Sequence, residues 1–183
     1  MQKFTIYTVE SAPERSKPAL QGLQQKFGFI PNAAATMAGS SALIGAFVGS
    51  FVNFQGSNFD DAEKQVLLLT NAVTLKCPWT VAFHSTMALE EGVAARDVQA
   101  LRAGKLPSDP KYAALSGMAK SLIEKKGLGT EAEAEKFAAA GYSQSQILDV
   151  INGIGISTMA ATTANLANTP VEDVFRANVW AAA

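Results

Sequence analysis

The chain has 183 residues, of which 48% are hydrophobic and 17% are charged, so residues 1–183 can form one domain with a core of ordinary size. The 15 basic and 16 acidic residues nearly balance, and no basic stripe that would bind nucleic acid is present. A single cysteine excludes an intrachain disulfide and a multi-cysteine metal site. We expect a soluble, cytoplasmic protein, since the first twenty residues have no apolar core of signal-peptide length and no apolar run is long enough to span a membrane.

Helix signals dominate the chain after its first residues. The stretch 4–9 is the only plausible strand, and because it lacks a partner strand we expect it to form an extended arm. Apolar periodicity, capping residues, glycines and prolines predict helices over 12–27, 32–39, 41–55, 60–75, 77–91, 94–103, 111–126, 130–141 and 143–167, and a last one that opens at 169–172. The predicted fold class is therefore all-α.

Two of these helices start with the same capping signature. Asp60 precedes Glu63 by three residues, and Ser143 precedes Gln146 by three residues, which is the spacing of a capping box. An apolar run follows each start, so we expect a weak internal repeat of a helical hairpin. The two copies differ, because the first is interrupted at 77–78 and the second is predicted to be unbroken.

The segment 33–54 carries almost no charge and is rich in alanine and glycine. Such a segment cannot be solvated on all sides. It either forms a central core helix or is partly buried against another subunit, and the sequence leaves both alternatives open.

The stretch CPWTVAFHS, residues 77–85, holds the only cysteine and the only histidine of the chain. Pro78 suits the first helical position, which makes Cys77 the N-cap, where free N–H groups and the helix dipole favour a thiolate. Thr80 and His84 follow at helical spacing on the same face. Because the imidazole lies about 10 Å from the sulfur along the axis, it needs a water, Thr80 or a side chain of the preceding helix as a relay.

The preceding helix offers Glu63 and Gln65 for that role. Glu63 is either a catalytic carboxylate or simply the capping carboxylate of its helix, whereas Gln65 can orient a partner but cannot act as a base. Trp79 and Phe83 are expected to pack in the core rather than to line a binding site. A lone cysteine or histidine is more often a core residue than a catalytic one, so the structural and the catalytic interpretation both stay open. With one histidine and one cysteine we expect no zinc site and no cofactor.

The segment 60–93 resembles the carboxymuconolactone decarboxylase / alkylhydroperoxidase D (AhpD) family. The family pattern is a helix with an acidic start, followed by Cys-x-x-Cys-x-x-x-His at the head of the next helix, and here the motif reads Cys-x-x-Thr-x-x-x-His. The segments KFGFIPN (26–32) and NTPVEDVF (168–175) are similar to the flanking segments of the peroxidase-related branch. The resemblance implies an AhpD-like helical bundle that assembles as a homo-oligomer, either a dimer, a trimer or a hexamer.

The resemblance also implies roles for the candidate residues. Cys77 matches the first cysteine of the family pair and His84 matches the histidine. Thr80 stands where the peroxide-attacking cysteine would be, and Gln65 stands where the family has a glutamate, while Glu63 matches another acidic position. Since threonine forms neither a sulfenic acid nor a disulfide, a two-cysteine cycle cannot run within one subunit.

Three functions remain open at this point. The first is an antioxidant, alkylhydroperoxidase-like oxidoreductase with Cys77 as the redox-active thiol and an external thiol as reductant. The second is a cofactor-independent lyase or isomerase, like the decarboxylase branch, in which His84 is the acid or base acting on a small-molecule substrate. The third is a non-catalytic oligomeric protein, which predicts that no cavity at His84 is large enough for a substrate.

Overall fold

The computed structural model describes residues 3–181, which form nine α-helices and two 3₁₀ segments and contain no strand. The all-α prediction is confirmed. Residues 3–8 have no regular secondary structure, and Tyr7 N–H donates to the carbonyl of Ala35 at 3.3 Å. The helices are α1 (Lys17–Phe27), α2 (Asn32–Met37), α3 (Ser41–Gln55), α4 (Asp61–Thr74), α5 (Pro78–Glu90), α6 (Ala95–Arg102), α7 (Pro110–Glu124), α8 (Glu131–Ala139) and α9 (Gln144–Ala167), with 3₁₀ segments at Glu14–Ser16 and Asp173–Asn178.

The two predicted capping boxes are both formed. Asp60 accepts a hydrogen bond from Glu63 N–H at 2.7 Å, and the Glu63 carboxylate accepts one from Asp60 N–H at 3.0 Å. Ser143 and Gln146 make the equivalent pair at the start of α9. The internal repeat is thus visible in the helix starts, but α9 continues unbroken for 24 residues where the first copy divides into α4 and α5.

The start of the predicted helix 12–27 is wrong by five residues. A 3₁₀ turn occupies Glu14–Ser16, and the α-helix begins only at Lys17. Pro18 explains the difference, because it has no N–H to donate to a carbonyl four residues earlier and so must lie in the first helical turn.

The predicted helix that opens at 169–172 is also wrong. Residues 169–172 are not helical, and only the 3₁₀ segment Asp173–Asn178 follows them. The Glu172 carboxylate is bound elsewhere, since it accepts hydrogen bonds from Asn32 N–H at 2.7 Å and from the Trp79 indole N–H at 2.8 Å. These contacts hold the segment against α2 and α5 instead of letting it begin a helix.

Residues 170–180, named the C-terminal strap below, run across α5 and α6. Phe175 is buried and packs edge-on against Phe83, with ring centroids 4.9 Å apart. The Arg102 guanidinium donates to the backbone carbonyls of Asn178 and Val179 at 2.8 and 2.9 Å. The strap therefore joins the far end of the chain to the helix that carries the Cys-x-x-Thr-x-x-x-His motif.

The helices α4 and α9 lie at the centre of the bundle, and α9 packs against α2, α3, α4, α5 and α7. Gly153 permits the close approach of α9, because a Cβ there would lie 2.9 Å from Leu67 Cδ2 and 3.2 Å from Phe54 Cε2. Among residues 3–181, α9 is the one helix whose length and mean hydropathy would suffice for a membrane span. It packs against five other helices through one face, while Leu148, Ile151 and Leu166 on its other face are exposed.

The uncharged segment 33–54 divides into two parts. Residues 33–38 are all buried, so α2 is a core helix, which was one of the two alternatives. In α3 only Ile44 and Phe54 are buried, and an uncharged face of small and apolar residues is exposed; it consists of Ala42, Gly45, Ala46, Gly49 and Val52. The second alternative, burial against another subunit, stays a prediction for this face of α3.

Candidate functional site

The junction between α4 and α5 places Cys77 at the N-cap of α5, as its sequence position predicts. Lys76 adopts a left-handed conformation with φ of 52°, Cys77 N–H donates to the carbonyl of Ala72 at 3.1 Å, and Pro78 is the first helical residue. The Cys77 side chain makes no capping hydrogen bond and has no exposed surface. Its thiol is therefore enclosed in an apolar cluster, where no solvent reaches it.

Thr80 is buried and its hydroxyl donates to the carbonyl oxygen of Cys77 at 3.2 Å. This is a local hydrogen bond within the first turn of α5. The hydroxyl does not link Cys77 to His84, so the structure shows no relay through Thr80.

His84 is held by Gln65 across the α4–α5 interface. The imidazole Nδ1 lies 3.0 Å from Gln65 Oε1. A carbonyl oxygen only accepts hydrogen bonds, so Nδ1 carries the proton and Nε2 carries the lone pair. Burial lowers the pKa of His84 from 6.5 to about 3, because the charged ring would lose its hydration. At neutral pH the ring is a neutral hydrogen-bond acceptor at Nε2.

A cavity lies beside this imidazole, between α1, α2, α3, α4, α5 and α9. Its volume is about 60 Å³, which is enough for a few water molecules and is smaller than the roughly 150 Å³ of a cavity that encloses benzene. Most of its wall is apolar, and five aromatic side chains contribute to it: Phe27, Phe47, Phe51, Trp79 and Phe83. Apart from the Trp79 indole N–H, which is bonded to Glu172, the polar groups of its lining within residues 3–181 come from His84 and Ser157.

Trp79 and Phe83 are buried and pack in a hydrophobic core cluster, as predicted. The two rings stack on each other with centroids 5.3 Å apart, and both also form part of the cavity wall. His84 lines the cavity as well, so successive turns of α5 face it. Cys77, in contrast, is not among the lining residues.

Glu63 is not brought to His84. Its buried carboxylate accepts hydrogen bonds from the Tyr142 hydroxyl at 3.0 Å and from the Lys111 ammonium at 2.6 Å, in addition to its capping contact with Asp60. The pKa of Tyr142 is raised by burial and by the nearby Glu63 carboxylate. Glu63 therefore joins the start of α4 to α7 and to the turn before α9, as the capping alternative requires, and a catalytic role for it stays a prediction.

Ser157 and Asn71 are polar cavity-side residues that the sequence did not single out. Ser157 is buried in α9, and its Oγ accepts a hydrogen bond from Asn71 Nδ2 of α4 at 3.1 Å. No motif connects the two residues, because the contact joins helices far apart in the chain. Within residues 3–181, no three His, Cys, Asp or Glu side chains converge where they could ligate a metal ion.

No protein-family model matches the chain, and no curated protein matches it. Solved structures do match. An uncharacterized peroxidase-related protein from Ralstonia eutropha JMP134, described as an alkylhydroperoxidase AhpD core, superposes with a TM-score of 0.83 at 16% identity over 94% of this chain and 93% of its own. A peroxidase-related protein from Silicibacter sp. TM1040 gives 0.75 at 16% identity over 95% and 92%. The debrominase Bmp8 gives 0.74 at 20% identity over 90% of both chains.

These superpositions define an AhpD-like all-helical protein. The resemblance read from the 60–93 motif is confirmed at the level of the fold, and the neighbours include both peroxidase-related proteins and a debrominase. Sequence identities of 16 to 20% establish the shared fold alone.

Proposed function

We propose that the cavity beside His84 binds a small, flat, largely apolar molecule, and that His84 accepts a proton from it in a cofactor-independent lyase or isomerase reaction. The observation that carries this proposal is the contact between His84 Nδ1 and Gln65 Oε1 at 3.0 Å. It leaves Nε2 as the unshared nitrogen of a ring that lines an apolar cavity. The cavity at His84 measures about 60 Å³, so a ring-sized substrate requires its aromatic walls to move apart, and the non-catalytic alternative stays a prediction.

The walls of the cavity support a flat ligand. Aromatic side chains pack favourably against other rings in offset or edge-on arrangements, and five of them surround this space. One solved structure with this fold, a cysteine-to-alanine variant of the debrominase Bmp8, is a complex with 2,3,4-tribromopyrrole, and it superposes with a TM-score of 0.75 at 19% identity. A flat, apolar ring is thus accommodated by another protein of the same architecture.

The low pKa of His84 sets the chemistry. An isolated imidazolium is unfavourable in this apolar site, so the ring is a weak base towards water. Abstraction of a proton from a substrate breaks a C–H bond, forms N–H at Nε2 and leaves the electron pair on the substrate. The cation and the anion arise together and attract each other, which offsets part of the cost of charging the ring. Return of the proton to another carbon completes an isomerisation.

Proton abstraction can be measured without knowing the natural substrate. Small unsaturated lactones and cyclic enones are incubated with the protein in D₂O, and loss of individual C–H signals is followed by NMR. We expect exchange with the wild type and with Cys77→Ser, and none with His84→Ala. Exchange that survives His84→Ala, or no exchange in any protein, would refute the proposal.

A second candidate is a one-cysteine peroxidase that uses Cys77, and it is favoured by the N-cap position of Cys77 and by the peroxidase-related fold neighbours. In this cycle the thiolate attacks the O–O bond, giving a sulfenic acid and releasing an alcohol or water. One external thiol then forms a mixed disulfide with loss of water, and a second external thiol restores Cys77 as a disulfide leaves. The reaction requires an opening that exposes the sulfur, since Cys77 is fully buried here.

One assay distinguishes the proposed proton transfer by His84 from the peroxidase reaction of Cys77. If Cys77 is the reactive group, the wild type consumes an alkyl hydroperoxide in the presence of a thiol and Cys77→Ser does not. Equal, slow consumption by both proteins would remove the peroxidase candidate while leaving the proposal for His84 intact.

We further propose that the protein is a cytoplasmic homo-oligomer. The exposed, uncharged face of α3 supports association with a second copy, since it includes Val52 with 61% of its surface exposed. Replacing Gly49 on this face by lysine would place a charge at the contact. We expect the molar mass from light scattering to fall in Gly49→Lys, and an unchanged mass would contradict this assignment of the interface.

A further inference from the structure

We propose that the cavity selects ligands that carry both a hydrogen-bond acceptor and a hydrogen-bond donor, with Ser157 donating to the first and His84 Nε2 accepting from the second. This inference rests on the proposed function, because it concerns the same cavity. It adds Ser157 as a binding residue, Asn71 as its positioning residue, and a chemical class for the ligand.

The role of Ser157 as a hydrogen-bond donor towards the cavity follows from its contact with Asn71. Asn71 Nδ2 donates to Ser157 Oγ at 3.1 Å, and no described residue accepts the hydroxyl hydrogen of Ser157. Ser157 is buried, with 6% of its surface exposed, and it lines the cavity. Its hydroxyl hydrogen is therefore available to a ligand. The opposite orientation of the Asn71 amide would leave both of its N–H hydrogens unpaired in the interior, and unpaired buried N–H groups are rarer than unpaired carbonyls.

His84 has the opposite role and acts as a hydrogen-bond acceptor towards the cavity. Its Nδ1–H is directed to Gln65, so Nε2 can only accept while the ring is neutral. Because the remaining wall is apolar, a ligand that brings a donor or an acceptor into the cavity finds one partner of each kind. A buried polar group without a partner is costly. The cavity should therefore reject molecules whose polar groups do not match this pair.

A flat cyclic amide meets these requirements. It has an N–H and a C=O in the plane of one ring, and the two faces of the ring are left for the aromatic walls. Four probes of similar size separate the contributions: 2-pyridone has both groups, N-methyl-2-pyridone has only the acceptor, pyrrole has only the donor, and benzene has neither. Dissociation constants are measured by calorimetry at neutral pH.

We expect 2-pyridone to bind most tightly and each missing group to weaken binding about fivefold to tenfold, the effect of one net hydrogen bond. Ser157→Ala should weaken the two probes that carry a carbonyl and leave pyrrole and benzene unchanged. Ser157→Thr keeps the hydroxyl, so it should retain the preference for 2-pyridone over pyrrole even if all affinities fall. Ser121→Ala is the matched control, since Ser121 is also a buried serine but does not line the cavity.

The positioning role of Asn71 has its own readout. Asn71→Leu removes the N–H donor without burying a charge, so the Ser157 hydrogen is no longer directed towards the cavity. Probes that carry a carbonyl should then lose affinity while pyrrole keeps its affinity. A merely structural role would weaken all four probes alike.

Equal binding of the four probes by the wild type, a parallel loss of all four in Ser157→Ala, or no binding of any probe would overturn the inference. Failure of the proposed reaction has a different signature, because the probes would still be discriminated while no C–H exchange occurred.

Discussion

The stability of the protein should depend on pH through a single imidazole. His84 is the only histidine of the chain, and burial lowers its pKa from 6.5 to about 3. In the unfolded chain the ring is exposed and titrates near its ordinary pKa. Between these two values the unfolded state binds a proton that the folded state does not bind. Stability is therefore complete above the unfolded pKa and is lost as pH falls through this window.

The size of the effect follows from the proton that only the unfolded state takes up. Lowering the pH from about 7.5 to about 5 should reduce the free energy of unfolding by about 2 kcal/mol, since each unit below the unfolded pKa contributes about 1.4 kcal/mol. This value is insensitive to the depth of burial, because any folded pKa below about 4 leaves the native ring unprotonated over the whole range.

Urea unfolding at several pH values measures this dependence, and the signal of the single imidazole in NMR gives the folded pKa directly. His84→Gln is the control, because it keeps a polar side chain and removes the titration. We expect the variant to lose the pH dependence between about 7.5 and 5, where the carboxylates stay ionised. Identical slopes in the two proteins, or a native imidazole that titrates near 6.5, would refute the assignment of His84 as a buried neutral base.

Three further predictions concern packing, the His84 partner and the thiol. In urea unfolding, Gly153→Ala should destabilise the protein by about 1–3 kcal/mol through overpacking. Gly155→Ala is the control and should be neutral or stabilising, because a Cβ there meets no atom within 4 Å. Equal effects of the two substitutions would contradict the tight packing of α9. Gln65→Glu should raise the pKa of His84 in an NMR titration, because a carboxylate at Nδ1 favours the imidazolium, and an unchanged pKa would disprove the contact. Native Cys77 should react with iodoacetamide at least ~100-fold more slowly than the unfolded chain, and similar rates would show that the thiol is accessible.

Much of the fold could be predicted because the signals are local. The capping boxes at Asp60 and Ser143 depend on residues three positions apart, and the structure forms both. The predicted helix at 169–172 failed for a long-range reason. Pro170 and Glu172 look like a helix start, but the Glu172 carboxylate is bound to Asn32 and Trp79 of distant helices.

The candidate site was predictable only in part. Helical spacing identified His84, and the position of Gln65 on the preceding helix indicated a residue that could orient a partner by hydrogen bonds. Neither periodicity nor spacing reports which side chains surround a cavity, so Ser157 was not found, and the place of the core residue Trp79 in the cavity wall was not foreseen. The burial of Cys77 was equally hidden, because its N-cap position describes the backbone and not what covers the sulfur.

The C-terminal strap connects the dynamics of the chain end to the cavity. One carboxylate, that of Glu172, holds both the start of α2 and the indole of Trp79, and Trp79 is part of the cavity wall. Fraying of the strap would release both partners at once and would free the Trp79 side chain in this part of the cavity wall. Hydrogen exchange at Asn32 N–H reports that opening directly. A ligand that fills the cavity and holds Trp79 in place would slow hydrogen exchange at Asn32 N–H without contacting that amide.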